Sequence, residues 1–243
     1  MVIKKSSAKT PNIKFMKIAA IIGFVILAYL TLSFVGVTIA GTAGSIISII
    51  ILLALLVFYF GFANLGKKSK SKSLVFSSWA IIASILAIII LYIIFYFIIK
   101  QYPVLASALL SPAGLEEKTI EIDHLMGVFG VLAIIFGLIF LFFGVVNYIF
   151  YIGLIKIKDK IKIAQTTGIV GLIGISILIL FAFYFIYVAS SGILSRELLL
   201  VLSGKASSVL DFIQAEVAII QLLILASLLL ESLTLLEGSK KFE

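Results

Sequence analysis

Residues 18–40 hold no charged side chain and no proline, about 23 apolar or small residues in succession. A helix needs about 20 such residues to cross the hydrocarbon core of a bilayer. Five more stretches meet or approach that length: 45–65, 74–99, 126–155, 163–188 and 212–236. The runs are continuous rather than alternating, and barrel strands need only about 10 residues each, so strands are not expected. The chain has 243 residues, of which 63% are hydrophobic and only 12% charged. A soluble domain carries about 25% charged residues. A chain this apolar lacks the polar surface to wrap a globule in water, which excludes a cytosolic enzyme, a secreted domain and a disordered chain. The expected architecture is all-α, a polytopic integral membrane protein. Residues 1–243 form a single membrane domain, a bundle of six transmembrane helices.

The charges set the threading. If the N-terminus lies inside, the inside segments hold Lys4, Lys5, Lys9, Lys14, Lys17, then Lys67, Lys68, Lys70, Lys72, then Lys156, Lys158, Lys160, Lys162, and finally Lys240 and Lys241. The outside segments hold only Lys100, Lys118, Arg196 and Lys205. This alternation over six spans is what the positive-inside rule requires. Acids lean outward, at Glu116, Glu117, Glu121, Asp123, Glu197 and Asp211. Both termini are therefore expected in the cytoplasm, and the protein in the cytoplasmic membrane. The net charge of +8 becomes a label of sidedness, and no nucleic-acid partner is expected. Docking of anionic head groups by the two lysine-rich hairpins is compatible with the same charges. The first apolar run exceeds the 7–15 residues typical of a signal peptide, so it reads as an uncleaved anchor.

Small residues mark helix packing, because in lipid helices associate through close van der Waals contact. Gly130, Gly137 and Gly144 recur every seven residues on the fourth span, and Gly168, Gly171 and Gly174 form a stripe on the fifth. These two spans are expected to pack along their glycine faces. Gly41, Thr42, Ala43 and Gly44 read as a break between the first two spans. A faint internal repeat pairs the second and third spans with the fourth and fifth. An offset of 91 places Ser77, Ala80 and Ala83 on Gly168, Gly171 and Gly174, whereas 89 pairs Ser77 and Ser78 with Thr166 and Thr167. Apolar composition alone accounts for such a likeness.

Chemistry is sparse. There is no Cys and one His, His124, so thiolate and His-rich metal sites are excluded. Residues 61–67 fit most of a phosphate-binding loop, but Lys68 stands where Ser or Thr is needed, and an apolar span precedes it instead of a strand. Glu121 and His124 form half of a di-iron pattern that requires two copies. Glu116, Glu117, Glu121 and Asp123 suit a hard cation or, more simply, a solvated acidic loop. No nucleophile elbow or intramembrane aspartate pair is present, and no cofactor is expected. Polar residues inside spans are the default functional candidates, here Asn147, Glu216, Gln221 and Glu231. Glu216 and Glu231 sit about one turn from their span ends, within reach of head groups or water. Asn147 and Gln221 lie deeper, as hydrogen-bonding links between helices. Trp79, Tyr148 and Tyr151 read as interfacial aromatics.

Residues 148–151, the lysine loop through Lys162, Ala164 to Gly168, and Leu172 to Gly174 resemble a domain of unknown function in archaeal multi-pass membrane proteins. Those share a Tyr-rich span end, a basic loop and a small-residue span start. The resemblance covers about a fifth of the chain. It implies an archaeal plasma membrane and no known activity.

The leading expectation is a non-enzymatic protein, a structural or accessory subunit that partners the lipid bilayer and other membrane subunits or its own copies. A small-solute or ion permease using Asn147, Gln221 and Glu216 stays open, as does a lipid-acting enzyme.

Overall fold

The computed structural model describes residues 13–36, 41–101, 119–191 and 208–243; within these, side chains over 41–43, 45, 91–133, 135–136, 140, 185, 189 and 208–218 are not described. Six helices account for nearly all of them: α1 (Ile13–Phe34), α2 (Gly41–Ser69), α3 (Lys72–Gln101), α4 (Thr119–Ile155), α5 (Lys162–Ser190) and α6 (Ser208–Lys241). No strand occurs among the described residues. Each helix contains a stretch long and apolar enough to cross a membrane. The chain is a multi-pass, all-α membrane protein. The isoleucine- and valine-rich runs would be middling helix formers in water. In hydrocarbon, however, every backbone N–H and C=O must be satisfied within its own segment, and the helix does this at every residue.

Several helix ends differ from the expected spans, with α4 beginning at Thr119 rather than at 126 and α6 covering Ser208–Lys241 rather than 212–236. α1 stops at Phe34 rather than continuing to residue 40, and Gly36 follows at φ 86°, a left-handed conformation that glycine adopts at little cost. α2 begins at Gly41, so the four small residues taken for a break form its first turn. α2 also runs on to Ser69, which makes residues 61–67 helical and leaves no phosphate-binding loop.

The α2–α3 connection is two residues long. Lys70 has φ 59°; its N–H donates to Lys67 O at 3.3 Å and the Ser71 N–H to Gly66 O at 2.9 Å. This is a Schellman motif with lysine at the position usually held by glycine. Ser71 then caps α3, its Oγ accepting from Leu74 N at 3.4 Å. The α4–α5 connection is a series of tight turns anchored by buried Ile157 and Ile161.

The fold groups into two compact units. The first comprises Met1–Ile82, Ile149–Ile169 and Ser227–Glu243. Its core holds Phe58, Phe62, Phe150, Leu154, Leu74 and Leu235. Edge-on rings pair Phe62 with Phe150 at 5.0 Å and Tyr59 with Phe150 at 5.6 Å. Glycines allow close crossings here. Gly61 lies over Ala19, Gly23 under Ser232 and Phe58, and Gly153 against the Leu74 backbone. In the second unit, Ala83–Tyr148 and Val170–Ala226, Gly137 faces Ile186 and Gly144 faces Ile179, all between α4 and α5. Gly171 is buried and Gly174 half-buried; the surroundings of Gly130 lie outside the described residues.

Candidate functional site

In the first unit, Ser227, Glu231, Thr234 and Gly238 succeed one another at helical spacing along α6 and are all buried. Residues three and four apart share a helix face. α6 therefore turns these small and polar residues into the protein together with Leu228 and Leu235, while Leu222, Ile224 and Leu229 face outward.

Glu231 is the centre of that face and is only 2% exposed. The Tyr151 hydroxyl of α4 donates to Glu231 Oε1 at 2.7 Å. The Tyr59 hydroxyl of α2 lies beside the same carboxyl group, and Ser227, one turn earlier on α6, lies beside Tyr151. A carboxylate only accepts hydrogen bonds, and the Tyr151 phenol supplies the donor. No cation pairs with Glu231 among the described residues, so it is held by neutral groups alone. One turn further on, Thr234 and Thr167 of α5 share a hydrogen bond at 2.7 Å, and the Thr167 hydroxyl lies 3.2 Å from Leu230 O.

Two contacts close the end of this unit. Glu237 of α6 accepts from the backbone N–H groups of Lys162 and Ile163, each at 3.2 Å, one on each oxygen. The residue just before α5 is Ile161, whose side chain has no acceptor to cap the open donors of the first turn, and a carboxylate from another helix takes that role. Lys160 Nζ donates to Ser69 O at 2.6 Å. A basic side chain from the α4–α5 hairpin thereby satisfies a carbonyl left open at the end of α2.

The sequence candidates fare unequally. Glu231 does not reach head groups or water as expected; α6 extends ten residues beyond it to Lys241, about 15 Å of helix. Asn147 is buried, but its Nδ2 donates to Phe143 O of its own helix at 2.8 Å. Gln221 is exposed on α6 rather than set between helices. The Glu216 side chain, Glu116 and Glu117 lie outside the described residues; Glu121, Asp123 and His124 fall in the first turns of α4 rather than in a loop, and their side chains are not described. Trp79 and Tyr148 are 44% and 43% exposed, whereas Tyr151 is buried and is the partner of Glu231, not an interfacial ring. Tyr59, Ser227 and Glu237 escaped the sequence reading. The small-and-polar stripe at 227, 231, 234 and 238 was the available signal. Among the described residues no group of three acids, histidines or cysteines is placed to hold a metal. No family model matches the chain, and no curated protein or solved structure is similar to it.

Proposed function

We propose that the chain is a non-enzymatic structural or accessory subunit of a membrane assembly. The observation that carries this reading is where the polar side chains of the core spend their hydrogen bonds. Glu231, Tyr151, Thr167, Thr234 and Glu237 bind one another or the backbone of neighbouring helices. Every buried side-chain N or O among the described residues has a partner. Such a bundle is cross-braced from within and presents apolar faces outward: Ile18, Ile21, Val25 and Leu32 on α1 are all more than half exposed and share one side of the helix. Lipid or the helices of another subunit cover a face of this kind. Gentle solubilisation of native membranes, a native gel and mass spectrometry test the proposal. A stable co-migrating partner supports it, and a lone monomer overturns it.

A small-solute or ion permease is the second reading. It is favoured by Glu231 itself, a buried ionisable group inside a span. Flux in proteoliposomes that collapses in Glu231→Gln supports it, and unchanged flux removes it.

A further inference from the structure

Beside the α2–α3 hairpin lies an open groove of about 530 Å³, lined by Gly66, Lys67, Lys70, Ser71, Lys72, Val75, Phe76 and Trp79. That volume falls in the range of ~300–1,000 Å³ seen for small-ligand sites. The groove has two unlike ends. At the hairpin, Lys67, Lys70 and Lys72 are exposed, and no acid is among the lining residues. One to two turns along α3, Phe76 is 66% and Trp79 44% exposed. The Trp79 ring stands edge-on to Phe60 of α2 at 5.5 Å, which fixes its orientation. Gly66 keeps the two helices close at the floor, since a Cβ there would come within 2.8 Å of Val75 Cγ2 and 2.9 Å of Val75 N. The floor is therefore set by close backbone packing.

We infer that this groove binds one anionic phospholipid of the adjoining leaflet, its phosphate among Lys67, Lys70 and Lys72 and its acyl chain along Phe76 and Trp79. Charge complementarity selects the head group, because three exposed lysines border one end of the groove and no acid lines it. The aromatic end selects a lipid over a soluble anion. Tryptophan favours the boundary between head groups and hydrocarbon, and an apolar wall there has nothing to offer a free phosphate. The inference rests on membrane residence alone and is independent of whether the chain is a subunit or a permease.

Trp79 is the single tryptophan of the chain, so its fluorescence reports on the groove without labelling. The full chain is reconstituted in phosphatidylcholine vesicles containing a minor share of brominated phosphatidylglycerol or, separately, of brominated phosphatidylcholine. Bromine quenches Trp79 only on contact. The expected result is several-fold stronger quenching by the anionic lipid. Lysines near a membrane surface contribute about fivefold each to anionic-lipid affinity. Lys67→Gln combined with Lys72→Gln should therefore bring quenching by the two lipids close to equal. Lys156→Gln combined with Lys158→Gln removes the same charge from the other hairpin and should leave the preference intact. Equal quenching by both lipids overturns the inference in favour of unselective boundary lipid. Equal loss in both double variants overturns it in favour of diffuse surface charge. Displacement of the quencher by inorganic phosphate overturns the lipid assignment in favour of a soluble anion. Unchanged Trp79 emission in pure phosphatidylcholine verifies that each variant is folded.

Discussion

Tyr151 and Glu231 are eighty residues apart in sequence and 2.7 Å apart in space, phenol to carboxylate, joining α4 to α6. With Tyr59 beside the same carboxyl group, one acid of α6 gathers two other helices. In lipid a hydrophobic driving force between helices is missing, so such links and close packing carry association. Individual interhelical hydrogen bonds in membranes are worth about 0.6 kcal/mol on average and up to about 1.7. Truncating the acceptor is worse, because it leaves the buried Tyr151 phenol unsatisfied and opens a void.

Tyr151→Phe is therefore expected to cost about 1 kcal/mol and Glu231→Ala about 2–5 kcal/mol in unfolding from detergent micelles. The double variant Tyr151→Phe, Glu231→Gln should cost less than the sum of its singles by at least 0.5 kcal/mol, an approximate lower bound for residues in contact. Strict additivity would show that the bond contributes nothing.

The Glu237 bridge to Lys162 and Ile163 makes a local prediction. Removing a side-chain cap costs about 0.5–2 kcal/mol. Glu237→Ala should lose that much, while Glu237→Gln, which keeps one acceptor oxygen but not the charge, should lose less. Hydrogen exchange followed by mass spectrometry should locate the change. Amides of the first turn of α5 exchange faster in Glu237→Ala, and those at the far end of α5 do not. Uniform acceleration along α5 would contradict a capping role.

These two acids show where the sequence was informative and where it was not. Helix existence followed from the apolar runs, because backbone satisfaction in hydrocarbon leaves no competing structure. Helix ends did not. Beyond Glu231, Ser232, Thr234 and Ser239 lower the local hydropathy, yet each hydroxyl donates back to a carbonyl of its own helix, and α6 continues. Tyr148 and Tyr151 look alike in sequence; three residues of helical rotation leave one at the surface and bury the other. That distinction depends on which way α4 faces, which composition does not encode. Glu237 resembles any charge near a chain end until Lys162 and Ile163 are brought beside it.

Lys70 stands at a left-handed position, φ 59°, where a side chain costs roughly 1–2 kcal/mol and glycine does not. Glycine also loses more chain entropy on folding, by about 0.5–1 kcal/mol. The strain is the larger of the two, so Lys70→Gly should raise stability by a few tenths to about 1 kcal/mol. A β-branched Lys70→Val should lower it. Thermal unfolding in micelles distinguishes these signs, and a destabilised Lys70→Gly would show that the lysine side chain outweighs its strain.

Gly168 shows two effects of opposite sign. Within a helix alanine is favoured over glycine by about 1 kcal/mol. A Cβ at Gly168, however, would lie 2.8 Å from the Tyr151 carbonyl oxygen and would overlap Ile155. Overpacking of this kind costs about 1–3 kcal/mol, and the obstacle is backbone, which cannot rotate aside. Gly168→Ala should thus destabilise the protein and push α5 away from α4 at the residue that holds Glu231. Combining Gly168→Ala with Tyr151→Phe should then cost less than the two separately, since the first already disturbs the bond the second removes. A neutral or stabilising Gly168→Ala would mean that α5 and α4 are further apart than the geometry gives.

The threading is testable because the chain has no cysteine, so one introduced thiol gives an unambiguous signal. Lys158 is exposed in the α4–α5 hairpin and belongs to the lysine-rich set that the positive-inside rule assigns to the cytoplasm. Ser111 falls in the segment between the third and fourth spans, which that rule assigns to the outside. In intact cells a membrane-impermeant maleimide should label Ser111→Cys and leave Lys158→Cys untouched until the membrane is permeabilised. The reverse pattern would invert the expected orientation and place both termini outside. Labelling of both from one side would leave an even number of crossings between residues 111 and 158, where α4 supplies one, and would overturn the threading itself.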